Sequence, residues 1–115
     1  NFMERIINVS NVLDSPSALT QEQGKKVYEL ISEAIRANDK VFLDFDGIES
    51  MISPFLNNAI GKLYGEFSSD TLQKSLDLVN FPREKNSTLI IVVQNAKKYY
   101  ADKEKYNSTL KDVIG

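Results

Sequence analysis

Residues 40–67, KVFLDFDGIESMISPFLNNAIGKLYGEF, combine a strand pattern, a polar segment and a helix pattern. Its first part, residues 41–45, is a nearly continuous apolar run, which is typical of a strand in the middle of a sheet with helices covering both faces. Residues 46–52 are more polar and predict a loop, and residues 53–67 carry apolar side chains at helical spacing. A strand, a loop and a helix in this order form half of an α/β unit, and we expect the loop to carry any function.

The flanking segments complete one domain. Thr20 and Gln23 fit a capping box, which predicts that a helix begins there. In chain order we predict a strand over residues 3–9, a turn over 11–17, helices over 20–36 and 53–67, and a strand over 74–81. The predicted fold is a small α/β domain with a short, mostly parallel sheet and three main helices.

The last third of the chain gives two conflicting signals. Residues 89–93, LIIVV, favour a strand by propensity, whereas apolar residues from Leu89 to Tyr100 recur at helical spacing. Good helix formers on both flanks favour a helix over residues 83–105. We therefore predict one domain over residues 1–106 and a polar tail over residues 107–115.

Composition limits the classes of function. The chain has 115 residues, a formal net charge of -2 and a pI near 5.1, which argues against nucleic acid or an anionic membrane as a partner. It contains no Cys and no His, so thiol nucleophiles, imidazole bases and the usual zinc ligands are missing, and we expect no cofactor. No apolar run approaches the roughly 20 residues of a membrane span, and no signal-peptide pattern opens the chain, so we expect a cytoplasmic location.

One pair of carboxylates could carry chemistry. Asp44 and Asp46 in VFLDFDG resemble the first motif of haloacid-dehalogenase-type phosphatases, because two residues apart on a strand places both carboxylates on one face. That motif normally lies on the first strand, whereas a helix precedes it here. We favour the interpretation that the two residues end a strand and polarise a turn; the alternative is a small Mg²⁺-dependent phosphotransfer enzyme.

The end of the loop offers a second kind of site. Ser53 suits the N-cap position, and Pro54 suits the first turn, where a missing N–H costs little. A hydroxyl at a helix start is also a candidate phosphorylation site. Met51, Ile52, Pro54 and Phe55 predict an exposed apolar cluster there, although core packing of Met51 and Ile52 is an alternative.

The strand and loop together resemble the STAS-like domains related to anti-sigma-factor antagonists, specifically the bacterial group DUF4325. In STAS domains a core strand ends in Asp-x-Ser-Gly-Val, and a loop containing Asp-Ser precedes a helix. The matching positions here are Asp44, Phe45, Asp46, Gly47 and Ile48, then Ile52 and Ser53, with Phe55 and Gly61 similar to the Phe and Gly of the DUF4325 form. Ile52 stands where the antagonists have Asp.

This resemblance implies a non-catalytic bacterial regulatory module that binds a protein partner, such as a kinase-like or anti-sigma ATPase. The implied contact residues are Asp46, Ile48, Met51, Ile52, Ser53, Pro54 and Phe55, with Ser53 as the possible phosphorylation site. A third hypothesis is self-association through an exposed strand edge at residues 3–9.

Overall fold

The computed structural model describes residues 3–114, and Asn1, Phe2 and Gly115 lie outside the described residues. The strands are β1 (Glu4–Asn8), β2 (Ser17–Ala18), β3 (Lys40–Asp44), β4 (Ser50–Met51) and β5 (Leu76–Val79). The α-helices are α1 (Val9–Leu13), α2 (Gln21–Arg36), α3 (Ser53–Ala59), α4 (Ser69–Ser75) and α5 (Asn86–Ile114), and 3₁₀ turns span Gly61–Gly65 and Arg83–Lys85. The α/β fold with a short parallel sheet is therefore confirmed.

The main sheet has three parallel strands in the order β1-β3-β5. β3 lies in the middle, as predicted, with Leu43 paired to Ile7 on one side and to Leu78 on the other. β1 is an edge strand. The two-residue strands β2 and β4 form a separate parallel pair, and both escaped the sequence-based prediction.

Helices cover one face of the main sheet, so the prediction that both faces are covered is wrong. Val41, Leu43 and Phe45 are buried, whereas Phe42, on the opposite face, is only half-buried and its sheet neighbour Ile6 is 77% exposed. Right-handed crossovers that step twice in the same direction, from β1 to β3 to β5, leave both connections on the same face. The opposite face is consequently open among residues 3–114.

The core lies between that covered face and the pair α2 and α3. The predicted capping box is present: the Thr20 hydroxyl accepts from the Gln23 N–H at 3.0 Å, and the Gln23 side chain accepts from the Thr20 N–H at 3.0 Å. α2 then buries one stripe, which includes Val27 and Ile31. These buried residues position α3, and α3 positions the loop before it.

Three predicted elements differ in extent. The helix predicted over residues 53–67 ends at Ala59 and continues as the 3₁₀ turn, and the strand predicted over 74–81 is preceded by α4 and shortened to Leu76–Val79. The helix predicted over 83–105 is confirmed, but it begins at Asn86, after the 3₁₀ turn, and continues to Ile114, so residues 107–114 of the predicted polar tail are helical. The domain boundary at residue 106 stays a prediction.

Candidate protein-binding site

The loop between β3 and α3 is held at several points along its length. The Ile48 N–H donates to the Phe45 carbonyl at 3.1 Å, which closes a turn through Gly47, whose φ is 93°. A Cβ on Gly47 would lie 2.6 Å from the Ser10 Oγ, so only glycine fits this turn without a clash. The loop therefore leaves the sheet in a fixed direction.

The second half of the loop is hydrogen-bonded to the segment before α2. The Glu49 and Ser50 N–H groups donate to the Pro16 carbonyl at 2.7 and 3.2 Å, and the Ile52 N–H donates to the Ala18 carbonyl at 3.2 Å. These bonds form the short β2–β4 pair. Side chains alternate between the two faces of a strand, so the pairing of β4 with β2 determines which loop side chains point into the core.

Met51 and Phe55 point inward, so the predicted exposure is wrong for Phe55, and for Met51 the alternative of core packing is confirmed. Met51 is 2% exposed and Phe55 is fully buried. Both belong to the same apolar core as Val41 and Leu43. In the folded chain these two side chains anchor the loop and are not available for contact with a partner.

Ser53 is the first helical residue rather than the N-cap, so that prediction is also wrong. The N-cap is Ile52, whose carbonyl accepts from the N–H groups of Phe55 and Leu56 at 3.2 and 3.4 Å. Pro54 has no N–H that needs a capping acceptor, which explains why the helix begins without a side-chain cap. The Ser53 side chain is exposed and takes no part in capping.

The end of the loop and the start of α3 therefore display an exposed strip, which consists of Ile52, Ser53 and Pro54. Ile52 is 44% exposed, and Ser53 and Pro54 are both exposed, between the buried anchors Met51 and Phe55. Of the other predicted contact residues, Asp46 is exposed and Ile48 is half-buried and packed against the core. A strip fixed at both ends loses little conformational entropy when it binds another molecule.

Asp44 lies at the carboxyl end of β3, within a polar cluster that joins the ends of all three main strands. Its Oδ1 accepts from the Asn80 side chain and from the Asp46 N–H, both at 2.9 Å. Its Oδ2 lies 3.4 Å from the Asn8 Nδ2, which also donates to the Asp46 carbonyl at 3.1 Å. These bonds make Asp44 the centre of a clamp between neighbouring strand ends.

The same bonds stabilise the charged form of Asp44. The hydrogen bond from Asn80, followed by that from the Asp46 N–H, lowers the pKa of the Asp44 carboxyl group below its ordinary value. A carboxylate with these donors is held in place as an acceptor. Among residues 3–114 no group of three or more acidic, His or Cys side chains is arranged to hold a metal ion.

Asn8 and Asn80 were not predicted as partners of Asp44. Each of the three residues ends or directly follows a parallel strand, and the carboxyl ends of parallel strands meet at one edge of a sheet. Asn80 also adopts a φ of 56°, a conformation that Asn tolerates better than most residues. Polar residues at three strand ends were the signal that could have identified the cluster.

A family model described as a STAS-like domain of unknown function, DUF4325, matches residues 23–86, and the chain belongs to this family. The matched segment begins in α2, includes the loop and the exposed strip, and ends where α5 begins. No curated protein and no solved structure matches the chain.

None of the helices in residues 3–114 is both long enough and apolar enough to cross a bilayer.

Proposed function

We propose that this chain is a non-catalytic regulatory module that binds a partner protein through the exposed strip, with Asp46 and Ile48 at the margin of the contact. The observation that carries the proposal is the placement of Ile52 between two buried anchors. An apolar side chain that is 44% exposed on a rigid loop is a suitable centre for a protein contact. Membership in a STAS-like family supports a regulatory role.

The partner class that we propose is a kinase-like or anti-sigma ATPase, on the basis of the resemblance to STAS domains. Such a partner would bind Ile52 and Pro54 through apolar contacts. It could also use Ser53 as a phosphate acceptor, because this hydroxyl is exposed and takes no part in capping. A phosphate group on Ser53 would place about two negative charges beside Ile52 and weaken an apolar contact there.

The test is an affinity capture from the source lysate with the wild type, Ile52→Asp and Ile91→Asp. Ile91 is the matched control, because it is 56% exposed on α5 and lies outside the loop. We expect an ATPase-like partner to be recovered by the wild type and by Ile91→Asp, and lost with Ile52→Asp. Recovery of the same partner by all three proteins would exclude the exposed strip as the contact.

Phosphorylation is tested separately, by incubating the recovered partner with ATP and the wild type or Ser53→Ala. We expect a mass increase of one phosphate on the peptide that contains Ser53, and none in the variant. Phosphate incorporation at other positions alone would exclude Ser53 as the regulated residue while leaving the contact itself intact.

A further inference from the structure

Helix α5 is much longer than the domain beneath it requires. It has 29 residues, which corresponds to a length of about 43 Å. Val92 is buried, and Leu89, Val93 and Tyr100 are half-buried against the domain. Every residue from 101 to 114 is exposed. The second half of the helix therefore projects beyond the domain.

Apolar residues recur with a period of seven along α5, including its projecting half, with Lys103 as the exception. One set of positions at this spacing is Leu89, Ala96, Lys103 and Leu110, and the other is Val92, Tyr99, Tyr106 and Val113. These are the a and d positions of a heptad repeat, which form the seam of a coiled coil. Contacts with the domain account for Leu89, Val92 and Ala96, whereas Tyr99 and the apolar seam residues after it are exposed.

We propose that the projecting half of α5, residues 101–114, pairs in antiparallel orientation with the same segment of a second copy of this chain. In this pairing Tyr106 faces Leu110 of the partner subunit, and Lys103 faces Val113 of the partner subunit. Each layer occurs twice by symmetry, so the segment is complementary to itself. The interaction concerns α5 alone and is independent of the function proposed for the exposed strip.

The position of the domain determines the orientation. The domain covers the seam of α5 at Val92 and Ala96, which lie against Gly61, so a parallel partner helix would have to pass through the space that the domain occupies there. In the antiparallel pairing, Tyr100 of the partner subunit lies past Ile114, and the two domains are at opposite ends. Both seams are then free where the helices overlap.

Charge supports the same arrangement. A parallel pair would bring Lys103 against Lys103 of the partner subunit. In the antiparallel pair, the aliphatic part of the Lys103 side chain contacts Val113 of the partner subunit and the amine stays in water. Residues 101–114 contain three Lys residues and three acidic residues, so two copies meet without net repulsion. The exposed apolar side chains at the seam, Tyr106 at 60%, Leu110 at 40% and Val113 at 78%, would be covered.

The first experiment is sedimentation equilibrium of the full chain. A contact of four layers is small, so we expect a reversible dimer at protein concentrations of about 0.1–1 mM. Leu110→Asp introduces a charge into the seam and is expected to weaken the dimer at least about tenfold. The matched control, Ser108→Asp, adds the same charge on the opposite side of the helix and should dimerise like the wild type.

Both variants alter exposed positions, so equal thermal unfolding midpoints show that the domain is intact in each. A wild type that remains monomeric through about 1 mM would overturn the proposal. Equal dimerisation of Leu110→Asp and Ser108→Asp would also overturn it, because the contact would then lie elsewhere.

The second experiment tests orientation, and the chain is suited to it because it contains no native Cys. Lys103→Cys and Val113→Cys are purified separately, mixed and oxidised. We expect the mixed disulfide between the two variants to form in preference to either symmetric product. Preferential formation of the Lys103→Cys homodimer would show a parallel pair and contradict the proposal.

Discussion

The carbonyl oxygen of Phe55 lies so close to Gly24 that a Cβ atom on Gly24 would stand 2.5 Å from it. The same Cβ would lie 2.7 Å from the Asn58 Cβ. This contact lets the start of α2 approach the backbone of α3, and α3 in turn carries the buried anchor that fixes the exposed strip. The position of the candidate site therefore depends on a glycine about 30 residues before it in the sequence.

We expect Gly24→Ala to destabilise the chain by about 2–3 kcal/mol, because backbone atoms of α3 cannot move aside as a flexible side chain could. The measurement is the free energy of unfolding from urea denaturation. Gly61→Ala is the matched control, since a Cβ there would lie 3.6 Å from both Ala96 and Val92, an ordinary contact distance. The control should keep or gain stability, because Ala fits this space and restricts the unfolded chain more than Gly does. Equal losses in the two variants would contradict this account.

The Asp44 clamp predicts a pH-dependent contribution to stability. The folded state lowers the pKa of this carboxyl group below its ordinary value of 3.8. The stabilisation is therefore fully present above that value, and it is lost as the pH falls through the lower pKa of the folded chain. We expect Asp44→Asn to be less stable than the wild type at pH 7, and the difference to shrink below pH 3.8.

Urea denaturation of both proteins between neutral and acidic pH measures this difference. Asp46→Asn is the control, because Asp46 enters the clamp through its backbone N–H and C=O, which the substitution leaves in place. We expect it to lose less stability at pH 7 than Asp44→Asn does. A constant difference between Asp44→Asn and the wild type across the range would argue against a stabilising carboxylate.

Burial of Phe55 predicts a large loss of stability when its side chain is removed. Phe55→Ala should cost about 3–5 kcal/mol, because it leaves a cavity in the core. Ile52→Asp changes an exposed side chain and should cost less than about 1 kcal/mol. Thermal unfolding followed by circular dichroism distinguishes the two variants. Loss of partner binding in Phe55→Ala would therefore report unfolding, whereas loss in Ile52→Asp reports on the surface. A Phe55→Ala variant as stable as the wild type would contradict the burial.

The elements that the sequence predicts well are those with long periodic patterns or a specific cap. α2 combines a capping box with four turns of amphipathic spacing, and α5 has good helix formers on both sides of its ambiguous segment. The short elements depend on tertiary contacts instead. β2 and β4 are two residues each and exist because loop N–H groups find the Pro16 and Ala18 carbonyls. No local pattern of that length identifies a strand.

The sequence predicts the position of the loop correctly, but it does not predict which of the loop side chains are buried. Met51 and Ile52 are adjacent apolar residues, and only the β2–β4 pairing turns one inward and leaves the other exposed. The continuous apolar run of β3 was misleading for a similar reason. The sequence pattern predicts Phe42 as a core residue, yet Phe42 lies on the open face of the sheet. The Lys40 amine lies 5.5 Å from the centre of its ring.

An ion pair links the edge strand β1 to the turn before β3. We expect its disruption to cost more stability than disruption of a more exposed ion pair. The Arg5 Nε lies 2.6 Å from the Asp39 Oδ2, and the Asp39 side chain is only 9% exposed. Replacing Arg5 with Leu would leave that carboxylate unpaired in a largely buried place, and we expect a loss of about 1–3 kcal/mol. The double variant Arg5→Leu with Asp39→Asn should recover part of the loss, because the unpaired charge is then removed.

The ion pair between Lys40 and Asp77 is more exposed than that between Arg5 and Asp39. Its charged atoms lie 3.3 Å apart, and the Lys40 and Asp77 side chains are 30% and 45% exposed. Solvent screens this pair more strongly, so Lys40→Met should cost no more than about 1 kcal/mol. Urea denaturation at low salt and at about 1 M NaCl tests both pairs, since salt screens exposed charges more than buried ones. The loss caused by Arg5→Leu should persist in high salt, because the desolvation of Asp39 persists. If high salt abolished this loss, Asp39 would behave as an exposed carboxylate, which would contradict the unequal effect predicted for the two pairs.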